Sequence, residues 1–263
     1  MKDVIVAGVG MTRFGKFLSR NLKSLSEEAV ASALADAGIV ATQVDQVIFA
    51  NAAAGVVTGQ EMIRGEASLR NTGLSGKPMF NVENACASSS TGFHLAWLMV
   101  ASGQANCVLV VGSEKLTHED KAVSFAAFAR AVDLEEPLPE GYRAGSGSLF
   151  MDLYAAKARK WMAGTGATPE DFARVVVKSR HAASQNPDAQ FRQETTVEEV
   201  LQSRVISDPL TLFMCSSIGD GAAAIVLTSE DFAKNLGAPM IRVRASAVVS
   251  AHAAGGSEPV AVT

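Results

Sequence analysis

The run ANCVLVVGSE, residues 105–114, constrains this chain more than any other stretch. Its apolar residues are nearly continuous and do not alternate, which is the pattern of a strand covered on both faces. Such a strand needs helices above and below it, so it demands a layered α/β domain. The neighbouring segments supply the layers. DVIVAGVG (3–10), QVDQVIFANA (43–52) and KPMFNVEN (77–84) read as strands. Residues 25–37, 59–73 and 87–102 read as helices between them. Ser24 or Ser26 is the expected cap of the first helix, and Gly38 its stop. This alternation predicts mostly parallel pairing.

The character of the chain then changes. Residues 117–208 are more charged and less strand-like, with helices expected at 149–163 and 169–185 and a polar stretch after them. A core-type strand returns at DGAAAIVLTSE (220–230), so the middle reads as an inserted excursion. PMIRVRASAVVSA (239–251) is expected to be a further strand. The predicted organisation is 1–116 as the first part of a core, 117–208 as the insertion, 209–236 as the return to the core, and 237–263 as the start of something further.

Composition narrows the function. With 48% hydrophobic and 19% charged residues, the 263-residue chain can bury a substantial core. A net charge of -4 gives no electrostatic case for nucleic acid. No apolar run is long enough to span a bilayer. Cys86, Cys107 and Cys215 form neither a CxxC pair nor an even framework, which points to a reducing, cytoplasmic setting. Four scattered histidines without HxxxH spacing argue against a metal site.

Cys86 is the candidate for chemistry. It stands where a strand ends and a helix begins, among alanines and serines. A helix N-terminus directs its N–H groups and positive dipole end there, stabilising a thiolate or a developing oxyanion. The competing reading is a small core residue, and spacing alone leaves the two level. Cys107 lies inside the apolar strand and reads as core. Cys215 precedes a strand in a small-residue loop, where it could line a pocket but reads first as packing. His94 lies eight residues beyond Cys86, about 12 Å along a helix, too far to serve it as base. His118, His181 and His252 are not ranked by spacing.

NVENACASSST (81–91) resembles the active-site elbow of the thiolase superfamily, of the type N-x-x-C-A-S-G-S, with Cys86 in the nucleophile position. MCSSIGDGAAAIVLTSE (214–230) is similar to that family's S-x-x-x-D-G-A-A-A segment. Residues 148–184 resemble the loop-domain helices that cover CoA, and NPDAQFR (186–192) with VISDPLTLFMCSS (205–217) resembles the sterol-carrier or lipid-transfer branch. The resemblance implies a thiolase-type fold, with the first half carrying a mixed five-stranded sheet and an inserted loop domain. It implies acyl exchange between acyl-CoA and 3-oxoacyl-CoA through an acyl-cysteine, in lipid or side-chain degradation, with the CoA thioester as substrate and no separate cofactor. Ser216 would contact the CoA pantetheine, and Met151 would line the acyl site; read without the resemblance, Ser216 is equally a loop serine capping a turn, and Met151 on an apolar helix face reads as core. Ser89 departs from the family glycine, and its Cβ is expected to crowd the turn or narrow the acyl pocket.

In the family a second half supplies a histidine and a second cysteine. No G-H-P and no C-x-G motif follows residue 237 here, so the resemblance implies a chain that stops early in that half. The expected partners are a second chain supplying the rest, or a twin in a homo-oligomer. The alternatives are a non-catalytic acyl-CoA-binding or scaffold subunit, and a thiolase-like lyase working with a partner.

Overall fold

The computed structural model describes residues 2–135, 137–138 and 142–250. They form two compact units, one from residues 2–120 and 219–248, the other from the described residues of 121–218 and 249–250. In chain order the first unit carries β1 (Val4–Met11), α1 (Leu22–Asp36), β2 (Gln46–Ala50), α2 (Ala54–Thr58), α3 (Arg64–Ser68), β3 (Met79–Val82), α4 (Ser88–Ser102) and β4 (Cys107–Glu114). The second carries α5 (Lys121–Ala129), α6 (Leu149–Thr165), α7 (Pro169–Ser184), α8 (Val197–Gln202), β5 (Val205–Ser207) and β6 (Leu210–Thr211). The chain returns to the first unit with β7 (Gly221–Ser229), α9 (Glu230–Leu236) and β8 (Ile241–Arg242).

The strand predicted to be covered on both faces is β4, inside a sheet of order β3-β2-β4-β7-β1-β8. Successive side chains of a strand point to opposite faces. Leu109 and Val111 accordingly join one core with Leu25, Ala29 and Ala33 of α1, while Val108 and Val110 join the other with Ala96 and Val100 of α4. Both faces of β4 are dry, so alternation has no reason to appear.

The pairing is mixed, which corrects the expectation of mostly parallel strands. β3, β2 and β4 are parallel, but β7 runs antiparallel to both β4 and β1. The reason is connectivity. Glu114 at the end of β4 faces Gly221 at the start of β7, so the two strands form a hairpin whose loop is the entire second unit. The sheet also has six strands, not five, the sixth being β8.

A buried ion pair closes the base of that hairpin. Lys115 Nζ donates to Asp220 Oδ2 at 2.7 Å, and the Thr117 hydroxyl donates to the same oxygen. Asp220 Oδ1 accepts from the N–H groups of Leu116 and Thr117, both at 2.8 Å, and Oδ2 also accepts from Phe17 N at 3.1 Å. Burial alone would raise the Asp220 carboxyl. The bonds donated by Lys115, Thr117 and Phe17 outweigh it and hold the group below the usual carboxylate range.

Three local expectations also change. The cap of α1 is Asn21, whose Oδ1 accepts from Ser24 N at 2.9 Å. Ser26 lies within the helix and donates back to Leu22 O at 2.7 Å. The helix expected over 59–73 is only the short α3, because long-range bonds hold this stretch. Asn81 Oδ1 accepts from Gly65 N at 2.7 Å, and Arg64 Nη1 donates to Asn51 Oδ1 at 2.7 Å. The strand expected over 239–251 reduces to β8, and residue 251 lies outside the described residues. β8 runs antiparallel to β1, which starts at Val4, so past Val243 the chain runs off its partner's end.

The second unit is helical, with a small core of Ala155, Ala158 and Leu210 against Phe172, Met214 and Cys215. α6 and α7 occupy nearly the predicted ranges. α7 starts at Pro169, behind a capping box in which Asp171 Oδ2 accepts from Thr168 N at 2.8 Å.

Candidate active site

β3, β2 and β4 are parallel, so their C-terminal ends share one edge of the sheet, the edge where such sheets bind ligands. The link from β3 to α4 lies there. It comprises Glu83, Asn84 and a tight turn over Ala85–Ala87, with Cys86 exposed at its centre.

The turn is tied by its own side chains. Ser88 Oγ accepts from Asn84 N at 2.9 Å and donates to Ala85 O at 2.7 Å. Asn84 Nδ2 donates to Thr91 Oγ1 at 2.8 Å, and Ser90 Oγ donates to Ala87 O at 3.0 Å. Ala85 is left-handed at φ 44, a conformation costing a residue with a Cβ about 1–2 kcal/mol. Its N–H donates to Glu83 Oε1 at 2.6 Å. The serines read in the sequence merely as small neighbours are therefore the braces of the elbow.

Ser89 points toward β4. A Cβ added to Gly112 would lie 2.2 Å from Ser89 Oγ, so the hydroxyl occupies the space that Gly112 leaves open. Position 112 is thus where the expected crowding is relieved.

The three thiols differ sharply. Cys86 is exposed. Cys107 is buried in β4, where burial first, and the nearby Asp45 charge second, push its pKa up to about 12. Cys215 is partly buried, and desolvation raises it. Among the histidines, His94 Nδ1 lies 3.0 Å from Ser246 Oγ, and its ring stacks on Trp97. His118 Nδ1 accepts from Asp120 N, and His181 pairs with Glu194 on the surface. His252 lies outside the described residues. Met151 is half-buried in the first turn of α6, and Ser216 is exposed just after Cys215. Both belong to the second unit, whereas Cys86 belongs to the first. Among the described residues no three His, Cys, Asp or Glu side chains cluster as metal ligands, and no helix is long and apolar enough to cross a membrane.

Sequence reading missed a polar network on the same edge. Glu114 Oε2 accepts from Ala52 N at 3.0 Å and Ala53 N at 3.1 Å. Asn51 Nδ2 donates to Glu114 Oε1 at 2.9 Å, and Arg64 bonds Asn51 from the other side. A charged residue closing an apolar strand was the available signal. Glu83 was missed too. The elbow pattern has asparagine three residues before the cysteine, and here that position is Glu83.

A family model described as thiolase, N-terminal domain, matches residues 4–231. The chain is 37% identical over 250 residues to an acetyl-CoA acetyltransferase of Methanothermobacter thermautotrophicus, covering 95% of this chain and 63% of that protein. It is 36% identical over 236 residues to sterol carrier protein 2 of Gallus gallus, covering 89% of this chain and 42% of that protein. Among solved structures it is similar to the Ltp2-ChsH2(DUF35) aldolase, with TM-score 0.68 and 30% identity, covering 89% of this chain and 57% of that one. The chain therefore spans less than two thirds of each of these relatives.

Proposed function

The chain belongs to the thiolase family, and on that premise we propose that it carries the acyl-accepting site of a thiolase-type acyltransferase, with Cys86 as nucleophile. The Cys86 sulfur attacks the carbonyl of an acyl-CoA thioester, and CoA leaves as its thiolate. The resulting acyl-cysteine then passes its acyl group to the second substrate in a ping-pong cycle. The observation that carries this reading is the exposed Cys86 in a braced elbow at the start of a 15-residue helix, whereas the other two thiols are buried or partly buried. The first N–H groups of a helix lack intrahelical partners and suit a developing oxyanion, and we assign that role to the start of α4. Ser216 is assigned to the pantetheine and Met151 to the acyl chain, on motif matching. The CoA thioester is substrate, and no cofactor is invoked. Three free thiols suit a cytoplasmic protein.

The family's acid–base pair comes from a second half, whose start we assign to residues 237–263. We assign the remainder of that half either to further sequence of the same protein or to a partner chain. Support comes from α4, where Phe93, Leu95, Trp97 and Met99 are only partly covered and Leu98 is 40% exposed. A helix apolar all round belongs inside a larger core. Phe80, 44% exposed on the edge strand β3, supports association with a twin. The likeness to the Ltp2-ChsH2(DUF35) aldolase favours one second reading, a thiolase-like lyase that works with a partner chain.

The test is to incubate the pure chain with acetyl-CoA and map the acylated residue by mass spectrometry. Acylation at Cys86, lost in Cys86→Ala and followed by slow or absent thiolysis, is the expected result. Preferential modification of Cys107 or Cys215 would refute the assignment. Full turnover by the chain alone would show that its base lies within these residues.

A further inference from the structure

Glu83 has two properties that the asparagine of the family pattern lacks or shares only in part. Its carboxylate accepts the Ala85 N–H at 2.6 Å, a bond that closes across Asn84 onto the N–H of the left-handed residue immediately before Cys86. It also carries a negative charge. Bond geometry limits its distance from the Cys86 sulfur to about 11 Å, whatever the rotamers. That is close to the Debye length of ~10 Å at 0.1 M salt, so the charge is felt at the sulfur and is screened by salt.

From these observations we infer that Glu83 is a positioning and specificity-determining residue for Cys86. As an acceptor it fixes the Asn84–Ala85 peptide from which the left-handed Ala85 turns the chain, and so steadies the direction in which β3 hands the chain to α4. As a charge it selects among acyl groups, disfavouring acyl chains that end in a carboxylate relative to neutral ones of the same size. The inference rests on Cys86 being the reacting thiol, and it deepens that reading by naming the acyl class the elbow accepts.

Two variants separate the two roles. Glu83→Gln keeps an acceptor oxygen and removes the charge, whereas Glu83→Ala removes both. The reagents are iodoacetamide, which is neutral, and iodoacetate, which is anionic, with the rate at Cys86 followed by peptide mass spectrometry. Glu83→Gln is expected to leave the iodoacetamide rate within about twofold of wild type. It is expected to raise the iodoacetate-to-iodoacetamide ratio about twofold at 10 mM salt, the size of one unit charge ~10 Å away in water. The gain should vanish at 0.5 M salt. Glu83→Ala is expected to change the iodoacetamide rate severalfold, and Glu83→Gln to restore it. An unchanged ratio in Glu83→Gln at low salt overturns the charge role, and it does so even if Glu83→Ala fails to fold. An unchanged iodoacetamide rate in a folded Glu83→Ala overturns the positioning role. These reagents need no thioester, so a chain whose Cys86 is never acylated by acetyl-CoA yet shows the charge effect refutes the acyltransferase reading alone.

Discussion

Asp220→Ala is expected to destabilise the first unit by about 3–5 kcal/mol, because removing one member of a buried ion pair leaves the other charge uncompensated. Lys115 is 6% exposed, and its remaining bonds, to Phe17 O and the Thr117 hydroxyl, are to neutral groups. The N–H groups of Leu116, Thr117 and Phe17 lose their acceptor in the same step. Urea unfolding measures the effect. The chain has two tryptophans, Trp97 on α4 of the first unit and Trp161 on α6 of the second, so a Trp161→Phe background makes the fluorescence report the first unit. With an m-value of roughly 2 kcal/mol/M, the midpoint should fall by about 2 M. The pH dependence has a definite sign. The Asp220 carboxyl is held low in the folded chain, so its contribution is fully present above the unfolded value near ~3.9 and fades as pH falls through the lower folded value. The gap between wild type and variant should be full at pH 7 and shrink only in acid. Replacing both partners, as Lys115→Met with Asp220→Leu, should recover much of the loss. A midpoint unchanged at pH 7, or a gap that widens on acidification, would refute the reasoning.

Cys107 should lower stability as pH rises from about 9 toward 12, since the unfolded thiol ionises there while the folded one stays protonated; the slope of urea midpoints against pH should become shallower in Cys107→Ala. Gly112→Ala should cost about 1–3 kcal/mol through its contact with Ser89 Oγ, and Ser89→Gly should relieve most of that in a double-mutant cycle. Thr168→Ala should cost about 1 kcal/mol by removing the bond its hydroxyl donates to Asp171 at the start of α7, read as a lower helical signal on heating.

What the sequence revealed and what it hid divide along physical lines. The double-sided burial of β4 and the periodicity of α6 and α7 are local properties, so the pattern of residues 105–114 and 149–185 expressed them. The antiparallel return of β7 depends on where a distant segment re-enters the sheet, and no period encodes it. The interruption of residues 59–73 arises from bonds to Asn51 and Asn81, outside any helical window. The strand–helix junction at Cys86 was legible in the residue pattern, but that pattern alone left a thiol for chemistry and a small core residue level; the exposure of Cys86 is what the structure adds. Glu83 and Asp220 were not, because an isolated carboxylate looks alike on the surface, at a strained turn and inside an ion pair.

The hairpin of β4 and β7 also has a meaning in time. Thr117 and Asp220, which meet at its base, are 103 residues apart in the chain. At ~5–20 residues per second, synthesis leaves β4 without its neighbour for about 5–20 s after it emerges. During that interval Val108, Leu109, Val110 and Val111 present an apolar strand with an open ladder edge, the form most prone to pair with another nascent chain. The second unit has its own small core and can fold while β4 waits, drawing the ends of its segment together. Expression yield should therefore respond to how quickly that unit folds, through slower translation or cooler growth, even when the finished molecule is equally stable.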